Sequence, residues 1–142
     1  MKPPIIIDAG PLVALINARD TYHTWTVEQL KQASGPLLTC EAALSEAVFL
    51  LRKIPGGASQ IGGMLRSGGL KSVFCLNDEI VPVCDILRKY ADVPMSLADA
   101  CLVRMSELFP KHRVLSLDSD FHVYRRNRQQ VIPLLTPMLP HK

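Results

Sequence analysis

The sequence lacks the features that would place the protein in a membrane or mark it for export. Its longest apolar run, residues 42–51, is interrupted by Ser45 and Glu46 and is far shorter than the roughly 20 residues of a membrane-spanning helix. One lysine precedes three isoleucines, and Asp8 then interrupts the run, which is unlike a signal peptide. We therefore expect a cytoplasmic protein that makes no contact with a membrane.

Cysteine pairs and nucleotide-binding glycine loops are also missing. Cys40, Cys75, Cys84 and Cys101 form no C-x-x-C pair and have no histidine ladder nearby, so neither a zinc site nor a disulfide framework is indicated. No P-loop or dinucleotide-binding motif occurs, which argues against nucleotide-driven functions. With 48% hydrophobic residues the chain can bury one core, and we expect a single domain over residues 1–142.

The net charge of +3 is distributed unevenly along the chain. Residues 1–110 contain ten Lys/Arg against eleven Asp/Glu, whereas residues 111–142 contain six against two. Arg125, Arg126 and Arg128 form the centre of the basic segment. Such a cluster suits contact with a phosphate backbone, and a solvated basic face is an equally common explanation.

Short β-branched runs alternate with helical patterns along the chain. Strands are predicted at residues 5–7, 37–39, 72–76 and 114–117, with an edge strand at 131–132. Helices are predicted at residues 12–16, 23–33, 41–52, 58–67, 79–90 and 97–109, the fifth capped by Asn77. This alternation implies right-handed crossovers and an α/β fold, a three-layer α/β/α domain with a central, mostly parallel sheet of four to five strands.

Asp8 stands at the end of the most strand-like run. Three consecutive isoleucines, residues 5–7, fit a strand that is covered on both faces, and Gly10-Pro11 opens a helix directly afterwards. Ligands of open α/β sheets bind beyond the carboxyl ends of the strands. Asp8 is therefore expected at the functional edge of the sheet.

Glu46 lies in the predicted helix over residues 41–52, which is apolar on nearly all sides and is therefore expected to be buried. A lone buried carboxylate costs several kcal/mol or becomes protonated, so Glu46 needs a cation. A salt bridge to Arg or Lys and a bound metal ion explain it equally well.

The remaining candidate acids also have local explanations. Ser96 and Asp99 match the capping box, and a cap explains Asp99 alone better than a ligand role does. Asp118 follows the fourth predicted strand and suits a turn or a helix start. We expect Asp120 mainly to begin that turn, and we include it among the candidate metal ligands.

Taken together, Asp8, Glu46, Asp99 and Asp118 are harder to explain locally. Each is predicted to reach the same edge of the sheet, where uncompensated carboxylates would repel one another. The usual remedy is a hard divalent cation with oxygen ligands. Because no thiolate or imidazole occupies a matching position, Mg²⁺ or Mn²⁺ suits this set.

Four segments of the chain, in order, also carry a family pattern: residues 6–15, Glu46 in its apolar helix, residues 96–100 and residues 115–121. Together they resemble the PIN-domain family, and in particular the small VapC-like toxin ribonucleases of bacterial toxin–antitoxin pairs. The closing segment over residues 124–133 is similar to family members as well. The resemblance implies a PIN-like fold and an endoribonuclease that depends on one or two Mg²⁺ or Mn²⁺ ions.

The resemblance assigns the acidic quartet of the family to Asp8, Glu46, Asp99 and Asp118. It implies an RNA substrate, an antitoxin partner of a type II pair and a homodimer. Family members often carry Ser or Thr at the position of Gly10, so we expect either lower activity or a hydroxyl supplied instead by Ser116 or Ser119. The histidine of the first loop, His23, is expected to be structural. The apolar residues Ile61, Met64 and Leu65 suit an antitoxin groove, a dimer contact or the core.

Two other functional classes stay open. A non-catalytic PIN-like module that binds RNA or a partner protein is favoured by Gly10, since a hydroxyl near the metal is missing. A metal-dependent phosphohydrolase for small molecules is the other, because acids at strand ends serve that chemistry on other α/β folds.

Overall fold

The fold is built around a parallel sheet. The structure is a computed structural model, and it describes residues 2–140. The strands in chain order are β1 (Ile5–Ile7), β2 (Leu37–Thr39), β3 (Leu70–Ser72), β4 (Arg113–Leu115), β5 (Arg125–Arg126), β6 (Gln130–Val131) and β7 (Leu134–Leu135). Five strands form one sheet in the order β3-β2-β1-β4-β7, and all four pairings are parallel. Strands β5 and β6 form a separate antiparallel hairpin.

Six α-helices connect the strands. They are α1 (Ala9–Ile16), α2 (His23–Lys31), α3 (Glu41–Leu50), α4 (Gly57–Ser67), α5 (Ile80–Lys89) and α6 (Leu97–Leu108), followed by a 3-10 helix at Ser119–His122. Every helix predicted from the sequence is present. The longest α-helix has 12 residues, and between residues 2 and 140 no helix is long and apolar enough to cross a membrane.

Two hydrophobic cores lie on opposite faces of the sheet, because successive residues of a strand point to opposite sides. Ile6 packs with residues of α5 and α6, including Val83 and Met105. Ile5 and Ile7 pack with residues of α1, α3 and α4, including Leu12, Ala47 and Ile61. All three isoleucines are fully buried. The predicted three-layer α/β/α architecture, with β1 at its centre, is confirmed.

The third strand was predicted too late in the chain. It occupies Leu70–Ser72, directly after Gly69, instead of residues 72–76. Its ladder with β2 ends at the pair Thr39 and Ser72, because β2 has only three residues to offer. Asn77 does not cap the following helix either. A turn closed by the hydrogen bond from Glu79 N to Leu76 O shifts the N-cap to Glu79.

The C-terminal strand prediction was also wrong in detail. Val131 belongs to the hairpin, whose turn places Asn127 and Arg128 at φ angles of 48° and 74°. The edge of the parallel sheet is formed instead by Leu134–Leu135, which pairs with β4. The hairpin therefore lies between the end of the 3-10 helix and the last strand of the sheet.

Helix α3 is not buried as a whole, contrary to expectation. Only Ala43 and Ala47 are buried along it, whereas Phe49 is 61% exposed. Small side chains let this helix lie close to its neighbours, Leu44 packs partly against the core, and Val48, Phe49 and Leu50 face outward. The sequence of α3 is apolar on all sides of the helix, but only the narrow side that carries Ala43 and Ala47 lies in the core.

Candidate active site

Four acidic side chains line one open cavity at the carboxyl edge of the sheet. They are Asp8, Glu46, Asp99 and Asp118, and the cavity has a volume of about 640 Å³. Asp8 follows β1, Asp118 follows β4, and Asp99 lies in the first turn of α6. Parallel strands deliver their carboxyl ends to the same edge, which explains why residues so distant in sequence meet here.

Asp8 is 7% exposed, and both of its carboxylate oxygens accept hydrogen bonds. Oδ1 accepts from Ala9 N at 2.7 Å, as the N-cap of α1, and Oδ2 accepts from Ser116 Oγ at 2.8 Å. Burial raises the pKa of Asp8 to about 6, and the negative charges of Asp99 and Glu46 add to the rise, although the two hydrogen bonds oppose it. The two hydrogen bonds thus hold the buried carboxylate in place, but they only partly compensate for its negative charge.

Ser116 is fully buried and connects two of the acids. Its hydroxyl donates to Asp8 Oδ2 and accepts from the backbone N–H of Asp118 at 3.0 Å. A hydroxyl therefore lies beside Asp8 even though Gly10 carries none. Ser119, the other serine that could supply the missing hydroxyl, lines the same cavity.

Asp99 takes part in two sets of contacts at once. It forms the predicted capping box, in which Asp99 N donates to Ser96 Oγ at 3.0 Å and Ser96 N donates to Asp99 Oδ2 at 3.3 Å. The same Oδ2 accepts from Tyr124 Oη at 3.0 Å. Burial raises the pKa of Asp99, and the charge of Asp118 contributes, so the cap and the hydroxyl only partly offset the desolvation of this carboxylate.

Tyr124 is the functional-site neighbour that sequence reasoning missed. It is fully buried although it lies in a polar segment, and buried tyrosine hydroxyls usually have a hydrogen-bond partner. Burial, followed by the charge of Asp99, raises the pKa of Tyr124, so the hydroxyl stays protonated and acts as a donor. A buried tyrosine close after the Asp118 segment was the available signal.

Glu46 lies on the wall of the cavity but is exposed, so the expectation that it is buried was wrong. The two buried alanines of α3, Ala43 and Ala47, take the core side of the helix and leave Glu46 on the solvent side. Its need for a cation therefore does not follow from its own desolvation. That argument applies instead to Asp8 and Asp99, which are 7% and 8% exposed.

Asp118 and Asp120 lie in the segment around the 3-10 helix. Asp118 is half-buried and caps this helix by accepting from Asp120 N at 2.8 Å. Asp120 lies within the first turn of this helix, after the cap at Asp118, and is not part of the cavity wall. Its negative charge acts on Tyr124. Asp118 is thus the member of this pair that shares the cavity with Asp8 and Asp99.

The donor set of the cavity fits a hard divalent cation. Among residues 2–140, four carboxylates and no Lys, Arg or His line the wall, and no salt bridge in this range involves any of the four. Within that same range, no group of three or more His, Cys, Asp or Glu side chains is already arranged to hold a metal ion. The chemistry of the oxygens and the raised pKa values of Asp8 and Asp99 match a cation, whereas a finished coordination shell is not formed.

The three arginines of the basic segment occupy different environments. Arg126 is 5% exposed, and its Nη1 donates to Ser106 O at 2.8 Å and to Pro110 O at 3.2 Å. These contacts give Arg126 a structural role, and they do not favour its predicted contact with a phosphate backbone, which stays a prediction. Arg125 is half-buried and donates to His122 O at 2.7 Å, whereas Arg128 is exposed.

Arg125 and Arg128 line a separate cavity of about 400 Å³, together with Lys89 and Arg104. Arg104 is paired there with Glu79 and Glu107. The acidic and basic residues proposed from the sequence therefore lie in different places. A phosphate chain would have to run over the surface to touch both.

The other residues singled out in the sequence are one histidine and three apolar residues of α4. His23 Nδ1 lies 2.7 Å from Ala14 O, which fits its expected structural role. Ile61 is 2% exposed and belongs to the core, and Met64 packs partly against it. Leu65 is 36% exposed and is the most exposed of these three α4 residues.

No protein-family model and no curated protein sequence matches this chain. The fold is similar to the crystal structure of VapC20 from Mycobacterium tuberculosis, a toxin described as cleaving the sarcin-ricin loop, with a TM-score of 0.68. The match covers 84% of this chain and 93% of VapC20, at 20% sequence identity. At that identity the likeness establishes the fold alone, and it confirms the PIN-like fold implied by the sequence resemblance.

Proposed function

We propose that this protein is a metal-dependent endoribonuclease that hydrolyses RNA phosphodiester bonds, as the toxin of a type II toxin–antitoxin pair. One observation carries the proposal: the carboxylates of Asp8, Glu46, Asp99 and Asp118 line one cavity, and among residues 2–140 no basic side chain contributes to its wall. The fold that holds them is like that of VapC20, a toxin described as cleaving RNA at the sarcin-ricin loop.

Asp8, Asp99 and Asp118 are the residues that would hold Mg²⁺ or Mn²⁺, and Glu46 would hold a second ion or orient water from its exposed position. A bound divalent ion lowers the pKa of the attacking water and offsets the charge that develops on the phosphate oxygens. The protein's part is to fix the two buried carboxylates. Ser116 orients Asp8, and the first turn of α6 orients Asp99.

Arg128 and Arg125 are proposed to contact the RNA backbone outside the acidic cavity. Contacts to phosphates position a strand without reading its sequence. The exposed guanidinium of Arg128 is better suited to this than that of Arg125, whose Nη1 already donates to three backbone carbonyls.

A non-catalytic module that binds RNA or protein is the second candidate. Two observations favour it: Gly10 offers no hydroxyl, and the described part of the chain contains no preformed group of metal ligands. Purified protein should be incubated with single-stranded RNA, single-stranded DNA and p-nitrophenyl phosphate, each with Mn²⁺ or with EDTA. Cleavage of RNA alone, and only with Mn²⁺, supports the ribonuclease. Binding without cleavage supports the module, and hydrolysis of the phosphate ester supports a small-molecule phosphohydrolase.

We also propose that the protein binds an antitoxin, forms a homodimer and acts in the cytoplasm. The outward side of α3 carries Val48, Phe49 and Leu50, which are 41%, 61% and 46% exposed, and Leu65 is also at the surface. Large exposed apolar side chains close together are typical of protein contacts. Light scattering at micromolar concentration should give the mass of a dimer. A neighbouring gene for a small DNA-binding protein would identify the antitoxin.

A further inference from the structure

Tyr124 contacts the acidic site from outside the cavity wall. Its side chain is fully buried, and its hydroxyl donates to Asp99 Oδ2 at 3.0 Å. Asp99 itself lines the cavity. The tyrosine therefore touches a carboxylate of the proposed site but not the space in which a substrate would lie.

The aromatic ring of Tyr124 is fixed by two neighbouring rings. Tyr90 lies edge-on with a centroid distance of 5.2 Å, and Phe121 lies edge-on at 5.1 Å. Tyr90 is anchored in turn, because its hydroxyl accepts from Arg125 N at 2.7 Å. A ring packed on both sides cannot swing away, so the hydroxyl is held at one position relative to Asp99.

The two carboxylate oxygens of Asp99 differ in their hydrogen bonds to the protein. Oδ2 accepts from both Tyr124 Oη and Ser96 N, and neither of these two donors engages Oδ1. A carboxylate with one oxygen occupied by protein donors keeps the other for an external partner. Groups that hydrogen-bond to metal-ligating side chains in this manner fix their orientation.

We infer that Tyr124 is a positioning residue: its hydroxyl, together with Ser96 N, holds Oδ2 of Asp99 so that Oδ1 is presented to a divalent cation. This inference rests on the proposed function. Tyr124 also connects two parts of the site. It follows closely after the 3-10 helix that Asp118 caps, and its backbone N donates to Asp120 O at 3.1 Å.

The test compares two tyrosine substitutions that each remove one buried hydroxyl. Tyr124→Phe removes the donor to Asp99, and Tyr90→Phe removes the acceptor of Arg125 N within the same aromatic cluster. The dissociation constant for Mn²⁺ is measured for each by titration calorimetry, and the metal-free proteins are melted in parallel. Loss of a group that orients a metal ligand typically weakens metal binding by about 10-fold to 100-fold.

We expect Tyr124→Phe to bind Mn²⁺ at least about tenfold more weakly than the parent. Tyr90→Phe should bind Mn²⁺ like the parent, although both variants melt at lower temperature. Equal Mn²⁺ affinity of Tyr124→Phe and Tyr90→Phe would overturn the inference, since the hydroxyl would then be merely structural.

A measurement on the parent protein decides the question if Tyr124→Phe does not fold. The chain has three tyrosines, so protein labelled with ¹³C at the tyrosine ζ carbon gives three resonances. Titration with Mg²⁺ should move the Tyr124 resonance more than those of Tyr22 and Tyr90, and an unmoved Tyr124 resonance contradicts the inference. A parent that binds no Mn²⁺ refutes the proposed function as well, whereas a parent that binds it and a Tyr124→Phe variant that binds it equally refute the inference alone.

Discussion

Ser116 Oγ donates a 2.8 Å hydrogen bond to Asp8 Oδ2, although the two residues are 108 positions apart in the chain. The pairing of β1 with β4 brings them together, because Ile7 is in register with Leu115 and each polar residue follows its strand directly. The same hydroxyl accepts from Asp118 N. Ser116 thus places a hydroxyl at the first acid from a neighbouring strand, where Gly10 offers none.

Ser116→Ala should lower both activity and stability. The substitution removes the donor to Asp8 and leaves the Asp118 N–H without its acceptor, and an unpaired buried polar group costs about 1–3 kcal/mol. Chemical unfolding of the metal-free protein measures the loss. An unchanged free energy of unfolding together with full activity would show that the hydroxyl is dispensable.

Gly10→Ser should partly rescue the activity of Ser116→Ala. A Cβ at Gly10 would lie 3.5 Å from the Leu117 side chain, which is ordinary contact, so the added carbon needs no rearrangement. Gly10→Ala is the matched control, since it adds the Cβ without the hydroxyl. If Gly10→Ala restores as much cleavage as Gly10→Ser, the hydroxyl is not the cause.

The metal-free protein should lose stability as the pH rises through about 6. Burial raises the pKa of Asp8 from 3.8 to about 6, so the folded state keeps a proton that the unfolded chain has already released between these values. The stability from protonated Asp8 is therefore fully present below pH 3.8 and lost as pH rises through the folded pKa. A shift of this size corresponds to about 3 kcal/mol.

Asp8→Asn is the comparison that isolates this effect. It cannot ionise and it retains a side-chain oxygen that can cap α1, so its free energy of unfolding should fall less than that of the parent between pH 4 and pH 8. Parallel pH profiles of the parent and Asp8→Asn would mean that Asp8 does not titrate in this range.

Asp99→Asn should abolish cleavage and leave the metal-free fold as stable as the parent, or more stable. The substitution removes one of the repelling charges and keeps an amide oxygen that can accept from Ser96 N and Tyr124 Oη. A role limited to capping predicts instead an active variant that has lost at most about 1 kcal/mol. Thermal melts with and without Mg²⁺ distinguish the two, because only the parent should gain stability from the ion.

Arg126→Ala should lower stability, whereas Arg128→Ala should weaken RNA binding. Arg126→Ala leaves Ser106 O and Pro110 O without their buried donor and should cost about 3 kcal/mol. Arg128→Ala changes an exposed side chain and should leave stability nearly unchanged. It should instead reduce the slope of log K for RNA against log salt by about one unit. An unchanged slope would assign Arg128 to a solvated face.

The parts of the fold that could be predicted depend on local patterns. Three isoleucines that end at Asp8 mark a strand buried on both faces, and the spacing of Ser96 and Asp99 marks a helix start. Both features follow from backbone hydrogen bonding and periodicity, which neighbouring residues largely determine. The cavity lined by the four acids then follows from the order of strands and helices.

The parts that could not be predicted depend on which side of an element meets the core. Helix α3 is apolar all round, so its pattern could not show that Ala43 and Ala47 face inward and leave Glu46 exposed. Arg125 and Arg126 are adjacent and chemically alike, yet only Arg126 is buried. The contact between Tyr124 and Asp99 is a side-chain hydrogen bond across 25 positions, which no periodicity encodes.

Cleavage of a fluorogenic single-stranded RNA by protein stripped of metal, before and after addition of Mn²⁺, tests the central claim most directly. The parent should be inactive in EDTA and become active with Mn²⁺, and Asp8→Asn purified by the same procedure should stay inactive under both conditions. Cleavage by the parent that persists in EDTA, equal cleavage by Asp8→Asn, or no cleavage of any tested RNA with Mn²⁺ would contradict the account.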